Sequence, residues 1–561
     1  MKFYLLIFSL LIAEISFSQV LTINVPEYDF GIDERKMLIV SHITNIDSYA
    51  DITEYEEIYI ILGQNKYHFS TSPVHLNFNS SYSIVDINSA KPYTLYFTSL
   101  PIININPIGS IVDVPKVAAK ITYADTEQTV VSHIGIELRG GFSQTYPKKT
   151  YDIEFWNDNT GDITIKQQFG NLRSDDDWIL DALYNEPLRI RSHIAHKLWL
   201  DMHPPHYIDE EPDAKSGADI MFIELFLDDE YKGIYALSEQ VDKKQLKLKD
   251  YNTSIRGELY KGKTWSDPVT FSGLLNYDND SRFWGGYKYV YPNEDEITDW
   301  SNIYKFTDFV LSSDQVNFKE NIWSKFDRDN FIDYFIFLNL IRASDNTGKN
   351  IYIAKYTTED PYFYAPWDLD GCLGTTWEGK NQNTTDDILS NGFIDRVIKS
   401  NPENVNNSAA NRWFDYRTNL LSNENLLSLI YEKYEFFDNH KIYERESLVY
   451  PNYAFDEDAV AYMRQWLEGR LTYLDAYFAD KLITDVDSNV STSVLFPNPV
   501  WEYLNVPSPA LSGKEYSIYN SQGKLVGSGI NNINVISFSA IDNGIYFIKF
   551  GKEIFKVIKV N

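Results

Sequence analysis

The sequence predicts an α+β chain of several domains: a β-rich N-terminal region, a mixed central part and a small C-terminal β-sandwich. Three observations predict it. Apolar runs of strand length, such as MLIVSHI, EIYIILG and SIVDI, recur between Gln19 and about Tyr96. From Leu95 to about Lys481, strand and helix signals mix. From about Thr492, short alternating runs are separated by turn residues, notably Gln522-Gly523 and Asp542-Asn543-Gly544. At 561 residues the chain is too long for one core, and its 43% hydrophobic and 15% aromatic content supplies several.

Charge and the remaining composition narrow the function. A formal net charge of −30, spread along the chain, repels phosphate backbones, so no nucleic-acid partner is expected. The start, MKFYLLIFSLLIAEISFSQ, has Lys2, an apolar run from Phe3 to Ala13, and small Ser16 and Ser18 before Gln19. That layout predicts a signal peptide over residues 1–18 and an exported mature chain. No later stretch reaches membrane-spanning length, since the best, Phe331 to Ile341, is short and holds Asp333 and Asn339, so no transmembrane segment is expected in the mature chain. Cys372 is the single cysteine, which excludes an intramolecular disulfide and a thiolate metal cluster. The nine histidines form no H-E-x-x-H pair, so a metal would be held by oxygen: magnesium, calcium or manganese.

Strands IGIEL (134–138) and TYDIEF (150–155) flank the loop RGGFSQTYPKK. Gly140 and Gly141 let the backbone approach a bound anion, with Arg139, Ser143, Lys148 and Lys149 as donors around it. Strand alternation places Lys149 with the apolar Tyr151, Ile153 and Phe155, and Lys148 with Thr150, Asp152 and Glu154. A lysine on the inner face needs an anion or carboxylate. Lys149 is therefore the expected inward cation, and Glu239, closing the strand KGIYALSEQV after the Asp228-Asp229 turn, its candidate partner.

Farther on, Asp329-Asn330 opens a helix, FIDYFIFLNLIRAS, apolar on more than one face and so buried. The loop DNTGKN, the strand IYIAKY, a turn and a second strand, YFYAPWDLDG, follow. This order sets Asp345 and Asn350 at one end and returns Asp368 toward them. Phosphoryl transfer needs such a set: a carboxylate to take the acceptor's proton, oxygen ligands for a divalent cation, and a lysine on the phosphates. The D-x-x-x-x-N spacing from Asp345 to Asn350 equals that of the protein-kinase catalytic loop.

Two stretches resemble known families. Residues from about 96 to 481 resemble the CotH kinase family of atypical protein kinases, through TSLPIININ, RGGFSQTYPKKTYDIEF, DDWILDALYNEPLRIRSHIAHKLW, YKGIYALSEQVDK, GELYKG, DNTGKNIYIAKY and PWDLDGCLG in the family's order. The resemblance implies a kinase-like fold that binds ATP with Mg²⁺ or Mn²⁺ and transfers phosphate to Ser or Thr hydroxyls of a protein substrate. It makes Asp345 catalytic, Asn350 and Asp368 metal ligands, with Asp370 as an alternative to Asp368. Lys149 becomes the phosphate-contacting lysine with Glu239 as partner, beside Arg139, Gly140 and Ser143. Phe142 departs from the family loop, where a small residue is usual. The P-N-P start at Pro497, the YNSQGK hairpin, the NGIYFIKF strand and the basic terminal strand, with Lys549, Lys552, Lys556 and Lys559 making the last strands basic, resemble the C-terminal sorting domain of the type IX secretion system. That implies the type IX machinery as a partner and a secreted or outer-cell-surface location. The expected division is 1–18 signal peptide, 19–95 accessory region, 96–481 kinase-like domain, 482–491 linker and 492–561 sorting domain. Two other readings of the central domain are a non-catalytic surface or matrix binding module and a glycan-acting hydrolase with paired carboxylates.

Overall fold

The computed structural model describes residues 19–453, 455–482, 495, 497–506, 511–551 and 553–560. The expected signal peptide and nearly all of the expected linker lie outside these residues.

Alternation of apolar residues in the N-terminal region builds a seven-stranded sheet from Val20–Val25 through Pro92–Thr98, with buried Ile23, Ile60, Ile84 and Leu95 on its inner face. The expected β-rich region thus runs to Thr98. Next comes a closed seven-stranded barrel, in the order Thr129–Arg139, Thr150–Trp156, Asp177–Asp181, Glu230–Ser238, Ile220–Leu227, Ile102–Pro107, Val117–Ala124 and back to the first. Ile103, Ile121, Ile136, Ile153, Phe155, Trp178, Ile223 and Leu237 fill it. The hairpin around Asp228-Asp229 forms as expected, both residues taking the positive φ (55° and 56°) of a tight two-residue turn.

A five-stranded sheet follows, in the order Phe283–Trp284, Tyr287–Tyr291, Glu258–Gly262, Ile351–Lys355 and Tyr362–Pro366. Helix Arg328–Ile341 packs against it. The helix starts one residue earlier than Asp329 because the Asp327 side chain accepts from Asn330 N and caps it. Every residue from Asn330 to Ile341 is buried. Its polar members are anchors: Asn330 donates to Tyr364 O (2.9 Å) and accepts from Tyr364 N (2.7 Å), pinning the last strand to the helix. That strand ends at Pro366, so WDLDG is loop, not strand. Helices from Gly392 to Leu482 complete the helical core. The C-terminal part forms a four-stranded and a two-stranded antiparallel sheet, matching the expected small β-sandwich. Among the described residues, no helix is long and apolar enough to cross a membrane.

Candidate active site

The loop between helix Arg328–Ile341 and strand Ile351–Lys355 is fixed before any ligand is considered. Tyr334, buried in the helix, donates to Asn346 O (2.7 Å). The Asn346 amide then donates to Asn350 O (2.6 Å) and Trp367 O (2.9 Å), while Trp367 N donates to Asn350 O (3.1 Å). One buried amide therefore clasps the Asp345–Asn350 loop to the start of WDLDG. Asn350 and Asp368 both take left-handed φ values of 54°. Non-glycine residues held there are uncommon and gather where a loop must aim a side chain.

The two loops place Asp345 and Asp368 as electrostatic neighbours. Asp368 reaches solvent, yet protein surrounds it densely enough that burial pushes its carboxyl above the usual aspartate range. Lys261 and Lys349 oppose that push and Asp345 adds to it. Lys349 Nζ lies 3.6 Å from Asp345. Asp370 is raised further, by burial and then by Asp368, although Asn185 donates to it at 2.8 Å. Asp181, at the end of a barrel strand, is raised by burial and by Asp368, and accepts from Leu183 N at 3.2 Å. Asp368 thus raises the proton affinity of both Asp181 and Asp370, and Asp181 adds to that of Asp370, as like charges crowded together do. A tighter knot, Asp175, Asp176 and Asp177, is already occupied by cations, because Lys244 Nζ bonds all three and Arg173 pairs with Asp175.

The expected lysine is corrected. Lys148, at 1% exposure, is the buried cation, and it pairs with Glu446 at 2.8 Å. Lys149 lies at the barrel mouth, donating to Gln144 O at 2.6 Å. Glu239 does not meet it: Glu239 accepts from Lys215 (2.8 Å), Arg173 N (2.7 Å), Asp219 N (2.9 Å) and Gln245 (2.5 Å). Alternation misassigned the pair because the strand begins only at Thr150, and both lysines lie in the irregular segment before it. The lysine facing Asp368 is Lys261, on strand Glu258–Gly262. Burial, then Arg139, lowers its amine to about 8, while Asp368 opposes the shift. Its ammonium lies 5.3 Å from the Tyr352 ring and 5.4 Å from the Trp367 ring.

Arg139 pairs with Asp152 and lies 5.7 Å from the Trp367 ring, so it borders the same space. Gly140 has φ 94°, and a Cβ there would overlap Ser143 Oγ, which is itself 3.4 Å from Arg139 O. Phe142, 60% exposed, meets Trp377 edge to face at 5.2 Å, joining this loop to the segment after WDLDG. Sequence reasoning missed Lys261, Asn346, Asp181 and Asn185. Lys261 alone carried a signal, since the alternation of ELYKG sets it on the face of Leu259.

Comparison with family models matches residues 136–474 to the CotH kinase protein family and residues 494–560 to a secretion system C-terminal sorting domain. No curated protein matches the chain. The first match spans more than half of the sequence and contains Asp345, Asn350, Asp368 and Lys261. The chain therefore belongs to the CotH kinase protein family and carries a secretion sorting domain at its C-terminal end.

Proposed function

We propose that this protein is a secreted or cell-surface atypical protein kinase, delivered by the type IX machinery, that moves the γ-phosphoryl group of ATP to a Ser or Thr hydroxyl of a protein. The observation that carries the reading is the Asn346 clasp, which holds the Asp345–Asn350 loop against Asp368 opposite Lys261. In this reading Asp345 accepts the acceptor's hydroxyl proton as the oxygen bonds to the γ-phosphorus and the bond to the ADP oxygen breaks. Lys261 and Arg139 hold phosphate oxygens, and the Gly140–Ser143 turn offers backbone donors beside them. Asn350 and Asp368, supported by Asp370, would hold Mg²⁺ or Mn²⁺, which neutralises charge developing on the phosphates. A kinase-like arrangement of the two sheets around this cleft belongs to the same proposal.

The test is ATP binding and autophosphorylation, or transfer to a general protein acceptor, with Mg²⁺ or Mn²⁺. Asp345→Ala and Asp368→Ala should each lower transfer by roughly 10²–10⁴ while the chain stays folded. Equal labelling by all three proteins would reject the assignment.

A further inference from the structure

In a chain of net charge −30, one face of the five-stranded sheet is positive. Lys261 stands directly opposite Lys288 on the neighbouring strand, and Lys263, one residue past the end of the Lys261 strand, is an electrostatic neighbour of both. Like charges directly opposite in a sheet are destabilising. No carboxylate within ion-pair distance of any of the three is found among the described residues: Lys261 has aromatic rings beside it, and Lys263 feels Asp113 only at longer range. Burial and the neighbouring cations lower the amines of Lys263 and Lys288, as expected for a cluster of uncompensated charges.

The cluster extends beyond what the donor's phosphates need. Lys288 lies two strands from the one that follows Asn350, about 10 Å at ordinary strand spacing. Lys263 and Lys288 are exposed, and so are Trp265 (51%) and Phe283, the latter paired opposite Lys288. Trp265 borders the Asp345 loop, because a Cβ on Gly348 would sit 2.7 Å from its ring. The face therefore leads from Asp345 along Trp265 and Lys263 to Lys288 and Phe283.

We propose that this face receives an acidic segment of the protein acceptor, with Lys263 and Lys288 binding aspartate or glutamate side chains that flank the hydroxyl presented to Asp345. The identity of that segment as the acceptor rests on the kinase reading above; the docking itself does not. Charge complementarity selects the partner: a basic segment meets three cations, whereas an acidic one gives Lys263 and Lys288 counter-ions.

The experiment measures fluorescence anisotropy of Ser-centred peptides with glutamate or lysine flanks, on the full chain, without nucleotide. Wild type should bind the glutamate peptide at least about tenfold more tightly, with the difference shrinking as salt rises. Lys263→Glu with Lys288→Glu, shown folded by circular dichroism, should lose that preference and gain the lysine peptide. Equal binding of both peptides by wild type, an unchanged preference in the double variant, or stoichiometric displacement of the peptide by Mg-ATP would overturn the proposal. Selective binding without any phosphate transfer would instead count against the kinase reading, and transfer that is indifferent to flanking charge would count against the docking face alone.

Discussion

Lys148 and Glu446 form an ion pair at 2.8 Å in which neither side chain touches solvent. Glu446 also accepts from Arg189 Nε (3.1 Å) and Ile234 N (2.9 Å), so one carboxylate satisfies two cations and a strand amide. Removing a partner from such a group leaves a charge buried alone. Glu446→Ala should cost about 3–5 kcal/mol in urea unfolding, and Glu446→Gln, which keeps the shape, should recover only part of it.

Gly233 is required by the same carboxylate. Its φ is 82°, and a Cβ there would overlap Glu446 Oε1. Gly233→Ala should destabilise by at least about 2 kcal/mol, combining left-handed strain with displacement of Glu446. Combined with Glu446→Ala, it should add little of the collision cost, which a double-mutant cycle would read.

The Asn346 clasp separates folding from activity. Asn346→Ala leaves the Trp367 carbonyl without its donor and the Asn350 carbonyl with Trp367 N alone, at a cost of about 1–3 kcal/mol. Activity should fall further than stability, since the Asp345 and Asp368 loops lose their common fastening. Phosphate transfer measured well below the melting temperature, alongside thermal unfolding, checks this.

Carboxyls raised by burial and mutual repulsion predict how cation binding varies with pH. Asp368 and Asp370 titrate above the unfolded value, so the fold binds more protons than the unfolded chain in that window, and stability falls as pH rises through it. A divalent cation reverses the penalty by replacing those protons. The rise in melting temperature on adding Mn²⁺ should therefore be larger at pH 8 than at pH 5.5, and should nearly vanish in Asp368→Asn.

Lys261 predicts the opposite slope at alkaline pH. Its amine sits near 8 in the fold, below its unfolded value, so between about 8 and 10.4 the unfolded chain binds the extra proton and stability rises with pH. Urea unfolding at pH 8 and 10 should show wild type gaining relative to Lys261→Met across that interval.

Much of this was legible in the sequence because it is local. The Asp228-Asp229 hairpin, the buried helix and the return of WDLDG toward Asp345 follow from periodicity and turn chemistry over short spans. The closed barrel was not legible, because it depends on pairing Thr129–Arg139 with Val117–Ala124 and Ile102–Pro107 with Ile220–Leu227, and the second pairing is long-range. Lys149 and Glu239 were misassigned for a related reason. Period-two alternation says which side a residue takes only inside a strand, and it names no partner. Glu446, on a helix that sequence reasoning never examined, could not be connected to Lys148 by any local pattern.

The position of that helix has a consequence for how the chain becomes folded. Lys148 and Glu446 are 298 positions apart, and the adjacent Arg445 supplies the cation for Glu224, also buried in a barrel strand. A chain that emerges N-terminus first presents its barrel with Lys148, Arg189 and Glu224 still lacking counter-charges until helix Ile442–Val449 follows. The barrel is thus electrostatically incomplete until most of the chain has been made. It also means that a fragment ending before Ile442 would lose the charges that close the barrel, however well its apolar core were preserved.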